Sequence, residues 1–281
     1  MPANSQLRRA AKRSLAPVLG ERVYRLVQAA SMARDIRSGA LTEPELDVAL
    51  RAVAPGEAAI DVGANYGMYA YPLSRAVGRS GSVHAFEPIP FTVTTLRTVL
   101  RLLRVHNVVI HDQACGEQAG RTSFAVPVQR SGAISAGQAH AATRNDDRAG
   151  HDRHVRWDEH RELTCDVVTL DSALANERRE IALIKADVEG MELSALRGAV
   201  GILECWHPTV ICEINPWFLE GFGIELGELI GFFADRGYQL HRYRDDRPRL
   251  VPVADLTGVD EDNYVFVHPA RRPRLGELLG S

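Results

Sequence analysis

Five short apolar runs, "AAIDV" from residue 58, "SVHAF" from 82, "NVVIH" from 107, "IALIKA" from 181 and "TVICEI" from 209, recur along the chain. Runs that are apolar at both parities leave neither face for water, so such strands belong in a sheet covered on both sides. Helical stretches near 66–77, 91–105, 191–204 and 223–236 separate most of them, which makes the fold α/β with mostly parallel strands joined by crossovers. Towards the end, "YQLHRY" and "DNYVFVH" flank a Pro- and Asp-containing loop and are expected to pair as an antiparallel edge.

Two segments stand outside this rhythm. Residues 5–38 carry apolar positions at helical spacing and an excess of arginine. They read as a helical extension over residues 1–50, interrupted near Pro17, that packs on the main domain or on a second subunit of a homodimer. Residues 51–281 form the main domain. Between its third and fourth strands lies an interruption of about 60 residues, long for a crossover. Its Gly-, Ala-, Ser- and His-rich middle, residues 127–160, reads as a lid over a substrate site.

Composition narrows the function mainly by exclusion. A formal net charge of −3 gives no basic footprint for nucleic acid. No run reaches the roughly 20 apolar residues of a membrane span, and the first residues lack the apolar core of a signal peptide. Cys115, Cys165, Cys205 and Cys212 form no CxxC pair, in keeping with a reduced, cytoplasmic protein. Lysine occurs only at positions 12 and 185 in an arginine-rich chain, so Lys185, inside a buried strand, stands out.

"IDVGANYG" follows the first strand and places Asp61, Gly63, Asn65 and Gly67 before a helix. Glycines there let a ligand approach the backbone. Glu87, in "FEP" at the end of the second strand, stands where an acid accepts hydrogen bonds from ribose hydroxyls. The spacing is GxNxG and not the GxGxxG of dinucleotide sites, and Asp61 at the loop mouth repels a pyrophosphate but attracts an ammonium and a sulfonium. The loop therefore suits S-adenosylmethionine better than NAD. Asp112 or Gln113, ending the third strand, is placed to read an adenine edge.

"IDVGANYGMY", "FEP", "TLD" at 169–171, "IKADVEGMELSALRGA" and "HPTVICEIN" resemble, in order and spacing, the FkbM-type family of S-adenosylmethionine-dependent methyltransferases over about residues 43–267. The resemblance implies a class I, Rossmann-like sheet of seven strands with the last antiparallel. It also implies methyl transfer to a hydroxyl of a sugar, polysaccharide or glycosylated natural product. Two other readings stay open: an NAD-dependent sugar oxidoreductase, and a noncatalytic scaffold retaining the fold.

In such a sheet the first and fourth strands flank the ligand crevice, so "IKADVEG" forms the wall opposite "IDVGANYG". Lys185 and Asp187 share a face and are expected to pair with each other or with a neighbouring carboxylate. Asp187 faces the chemistry, Glu189 touches the cofactor ammonium or only satisfies the turn, and Glu192 is a first-turn helix charge. Asp187, Glu213 and Asn215 together offer oxygens of the kind Mg²⁺ accepts, and without a metal Asp187 and Glu213 handle the acceptor directly. The lid supplies further general-base candidates, His140, His151, His154 and His160, of which His140 is preferred.

Overall fold

The computed structural model describes residues 26–129, 140–141, 155–260 and 262–280. The first described elements are α1 (26–37) and α2 (Leu46–Ala52). The sheet then starts with β1 (Ala58–Val62), α3 (Ala70–Ala76), β2 (Ser82–Phe86), α4 (Pro90–Leu102) and β3 (Val108–His111). The expected interruption contains β4 (Ala114–Cys115), β5 (Gly120–Gln129), β6 (His140–Ala141), β7 (Val155–Val168) and α5 (Leu170–Ala173). The chain returns with β8 (Ile181–Ala186), α6 (Glu192–Arg197), α7 (Val200–Trp206), β9 (Thr209–Ile214), α8 (Pro216–Gly221) and α9 (Leu226–Ala234). It closes with β10 (Gln239–Arg244), β11 (Arg249–Pro252), β12 (Asp262–Val267) and α10 (Arg272–Leu279).

The strand order is β11-β10-β12-β9-β8-β1-β2-β3. Strands β3, β2, β1, β8 and β9 are parallel, and β12 runs antiparallel between β9 and β10. This is a Rossmann-like, doubly wound sheet, extended to eight strands by β11. "YQLHRY" and "DNYVFVH" do pair antiparallel, as β10 and β12, but the edge beyond them belongs to β11.

Every residue of β1, β2 and β8 is buried, as the unbroken apolar runs require. Alternate residues serve two cores. Ile60, Val62, Ile184 and Val210 meet Leu196, Leu203 and Phe233 of α6, α7 and α9. Ala59, Ala85, Leu183 and Ile211 meet Val48, Leu73, Leu96 and Leu275 of α2, α3, α4 and α10. Fully burying a side chain such as Leu183 is worth roughly 1.5–3 kcal/mol, so the covered sheet is a rigid platform.

The helix expected over 191–204 is two helices. Gly198 lies against the Gly116 carbonyl, where a Cβ would stand 2.2 Å from the oxygen, and the chain turns there. Asp171 of "TLD" then caps the second helix, its carboxylate accepting from the amides of Gly201 (2.8 Å) and Ile202 (2.9 Å).

The long interruption is largely strand at its flanks. β5 and β7 pair antiparallel in a second sheet, ordered β4-β7-β5-β6, whose base packs Phe124 and Leu163 on Ile89. Residues 130–139 and 142–154, the centre of the expected lid with His151 and His154, lie outside the described residues, as do Pro17 and the rest of residues 1–25. α1 packs on the main domain: Ala29, Ala33 and Ile36 close on Val99 of α4.

Candidate active site

A cavity of about 610 Å³ opens at the carboxyl ends of β1 and β8, where the strand order reverses. Asp61, Gly63 and Asn65 form one wall, Asp187, Val188 and Glu189 the other, with Phe86, Glu87 and Gln113 at the side. The walls touch. Gly63, at φ +81°, passes so near Asp187 that only a residue without a Cβ fits, and the Asp187 amide donates to the Val62 carbonyl at 3.1 Å.

Two buried acceptors on the β1 side have no hydrogen-bond partner among the described residues: Asp61 Oδ2 and Asn65 Oδ1. A buried polar atom left unpaired is costly, so both are positioned for donors from a ligand. Burial pushes the Asp61 carboxyl up to about 7, against the nearby Lys185 charge that favours ionisation. Glu87 also rises to about 7 through burial, although its oxygens accept the amides of Ile89 (2.9 Å) and Asn65 (3.1 Å). Carboxylates held near neutrality at the mouth of a glycine loop are ready to ionise against an incoming cation.

Across the cavity, Lys185 is 1% exposed. Burial alone would strip its charge, but Asp187, Glu43 and Glu213 outweigh that and raise its pKa. Its Nζ lies 3.4 Å from Asp187 Oδ2, donates to Asn263 Oδ1 at 2.9 Å and sits over the Tyr69 ring. The expected pairing of Lys185 with Asp187 is thus present, and the β1–β8 register sets Lys185 beside Asp61. Glu213, at the end of β9, neighbours Asp187: burial first, then the Asp187 and Glu189 charges, push its carboxyl well above the usual carboxylate range.

The turn "DVEG" is built around Glu192, whose Oε1 accepts the amides of Val188 (2.9 Å) and Gly190 (3.2 Å). Glu192 is therefore the buried cap of the wall, more than a helix-end charge. Glu189 adopts φ +54° on the cavity lining.

A family model described as the methyltransferase FkbM domain matches residues 61–240. The chain belongs to the FkbM methyltransferase family. Among solved structures it is similar to an FkbM methyltransferase of Methylobacillus flagellatus, at 19% identity and a TM-score of 0.44, over 92% of this chain and 58% of that one. It is also similar to an S-adenosylmethionine-dependent O-methyltransferase of Thermotoga maritima, at 12% identity and a TM-score of 0.43, over 84% of this chain and 71% of that one. A third is an S-adenosylmethionine-dependent methyltransferase of Aquifex aeolicus, at 13% identity and a TM-score of 0.40, over 80% and 88%. This chain thus spans little more than half the Methylobacillus protein. Curated proteins gave no match.

For an FkbM methyltransferase the cofactor is S-adenosylmethionine, and the site fits it: a glycine cradle, unpartnered acidic and amide oxygens for its donors, and Glu87 on the neighbouring strand. Membership of this family speaks against the NAD-dependent oxidoreductase reading.

Other expectations need correction. Gly67 is not on the cavity wall; at φ +92° it turns into α3, where a Cβ would meet Leu96 Cδ1 at 2.9 Å. Asp112 is turned away and pairs with Arg97 of α4 at 3.3 Å, whereas its neighbour Gln113 lines the cavity. Asn215 caps α8, its Oδ1 accepting the amides of Trp217 and Phe218, and so does not join Asp187 and Glu213. With Asn215 Oδ1 taken by those amides, the oxygen set expected for Mg²⁺ lacks its third member, and among the described residues no group of three or more His, Cys, Asp or Glu could hold a metal. His140 pairs through its backbone with Ala125, and its side chain, like that of His160, is outside the described set.

The sequence reading missed Glu43 and Tyr69, both on the cavity wall. Tyr69 Oη donates to Glu43 Oε2 at 2.9 Å. No local pattern marks Glu43; it reaches the site only because the segment after α1 folds over the loop.

Proposed function

We propose that this chain is an O-methyltransferase that moves a methyl group from S-adenosylmethionine to a hydroxyl of a sugar, polysaccharide or glycosylated metabolite. The observation that supports it is the position of Asp187, a carboxylate on the cavity wall opposite Asp61, paired with the buried Lys185 at 3.4 Å.

When bound, the cofactor supplies an electrophilic methyl group on a sulfonium. Asp61 would receive its ammonium, Glu87 would accept from its ribose hydroxyls, and Gln113 would stand on the side of its base. Asp187 would accept the hydrogen bond of the acceptor hydroxyl and take its proton, which makes the oxygen nucleophilic. A positioned base of this kind contributes typically 10²–10⁴-fold. Glu213, whose carboxyl burial pushes up, favours its neutral form beside Asp187. Lys185 offsets the charge that would otherwise accumulate between Asp61 and Asp187.

The test combines binding with turnover. Calorimetry should show S-adenosylhomocysteine binding to the purified protein, and absence of binding removes the basis of the proposal. Incubation of neutral glycans with labelled donor should then give a single-methyl mass shift that Asp187→Asn lowers by at least about 100-fold with binding kept. A methylated nitrogen or carbon in the product would exclude the O-methyl assignment.

A further inference from the structure

The family model begins at residue 61 and ends at 240, yet the cavity is walled in part from outside those bounds. Met32, Leu41 and Glu43 line it from the N-terminal side. Both side-chain hydrogen bonds that Glu43 accepts go to Oε2, from Tyr69 Oη at 2.9 Å and from Asn263 Nδ2 at 3.0 Å. Asn263 in turn accepts from Lys185 Nζ at 2.9 Å. A single amide on β12 therefore joins Glu43 to the Lys185–Asp187 pair and fixes the direction of the carboxylate, while Oε1 takes no hydrogen bond among the described residues.

The charge balance of the wall is one-sided. Among the described residues, Glu43, Asp61, Glu87, Glu117, Asp187 and Glu189 line the cavity against one cation, Lys185. The cofactor's ammonium, sulfonium and carboxylate add one net positive charge. An anionic acceptor would face like charge across this wall, which works as a built-in rejection.

We infer that Glu43 is an acceptor-binding, specificity-determining residue: its Oε1 takes a hydrogen bond from a hydroxyl of an uncharged polyol, and its charge turns away phosphorylated acceptors. The inference rests on the reading of this cavity as a methyltransferase site for hydroxyl acceptors, and adds a residue and a selection rule that the family-matched segment does not contain.

The experiment uses the full chain loaded with S-adenosylhomocysteine and saturation-transfer NMR with two probes, methyl α-D-glucopyranoside and glucose 6-phosphate. The wild type should transfer saturation to the glycoside and not to the phosphate, and raising the salt concentration should weaken that exclusion. Glu43→Gln, which keeps the shape and the acceptor for Tyr69, should weaken the glycoside at least fivefold, admit the phosphate, and leave S-adenosylhomocysteine affinity within twofold. The inference is overturned if the wild type binds the phosphate as well as the glycoside, if neither probe binds, or if Glu43→Gln leaves both signals unchanged. The wild-type arm stands even if the variant does not fold. Failure of S-adenosylhomocysteine to bind the wild type would instead strike the proposed function and is read separately.

Discussion

A Cβ on Gly63 would stand 1.9 Å from the carbonyl oxygen of Asp187, so the loop after β1 and the end of β8 meet backbone to backbone. The partner atom is main chain and cannot swing aside. Gly63→Ala also forces an L-residue to φ +81°, and strain there and overpacking cost about 1–2 and 1–3 kcal/mol respectively. Gly63→Ala should therefore lower the melting temperature by several degrees and abolish S-adenosylhomocysteine binding by calorimetry. Retained affinity would show that the two walls move independently.

Lys185 is the buried cation between Asp61 and Asp187. Lys185→Met keeps the stem but leaves two carboxylates without their partner, and breaking a buried pair in this way costs about 3–5 kcal/mol. Chemical denaturation should show a loss of that order. A change below 1 kcal/mol would mean that the carboxylates simply take up protons.

Glu192 supports the "DVEG" wall through two amides, and burial pushes its pKa up to about 7. Glu192→Ala strands both donors, at roughly 1–3 kcal/mol each, whereas Glu192→Gln retains the acceptor oxygen and should recover most of the loss. Thermal melts of the two variants side by side separate the hydrogen bonds from the charge.

Asp61 and Glu87, both raised to about 7, give a pH signature with a definite sign. The folded chain holds protons that the unfolded chain, with ordinary carboxyl pKa values, has lost. Their contribution to the stability of the ligand-free protein is therefore fullest below about pH 4, declines between about pH 4 and 7, and is lost above. The ligand's ammonium beside Asp61 reverses the preference, so binding should release protons. Affinity for S-adenosylhomocysteine should rise from pH 5.5 to 7.5 by up to about tenfold per unit for each group. Calorimetry in buffers of different ionisation enthalpy measures the release directly, and proton uptake would contradict it.

The parts legible in the sequence were those whose physics is local. β1, β2 and β8 announce themselves because burial on both faces demands unbroken apolar residues. Lys185 and Asp187 could be paired on paper because a period of two fixes their common side. The same period separates Asp112 from Gln113, but the choice of which one faces the cavity depends on register with β2 and on Arg97 fifteen residues earlier. β7 has no strand signal in the sequence because its alternate residues Glu162, Thr164 and Asp166 are polar and exposed, and a half-wet ribbon resembles surface chain until its partner β5 is known. Asn215 looked like a ligand because capping and coordination ask for the same oxygen. Glu43 had no local signal at all, since its partner Asn263 lies 220 residues away.

The position of β12 also bears on how the chain is made. β9 and β10 precede it in synthesis but are separated by it in the finished sheet. Until residues 262–267 leave the ribosome, the edge of β9 that they will cover is open and Glu43 lacks Asn263. A nascent chain with every cofactor residue already folded thus presents an unpaired apolar strand edge, the surface at which chaperones bind and aggregation begins.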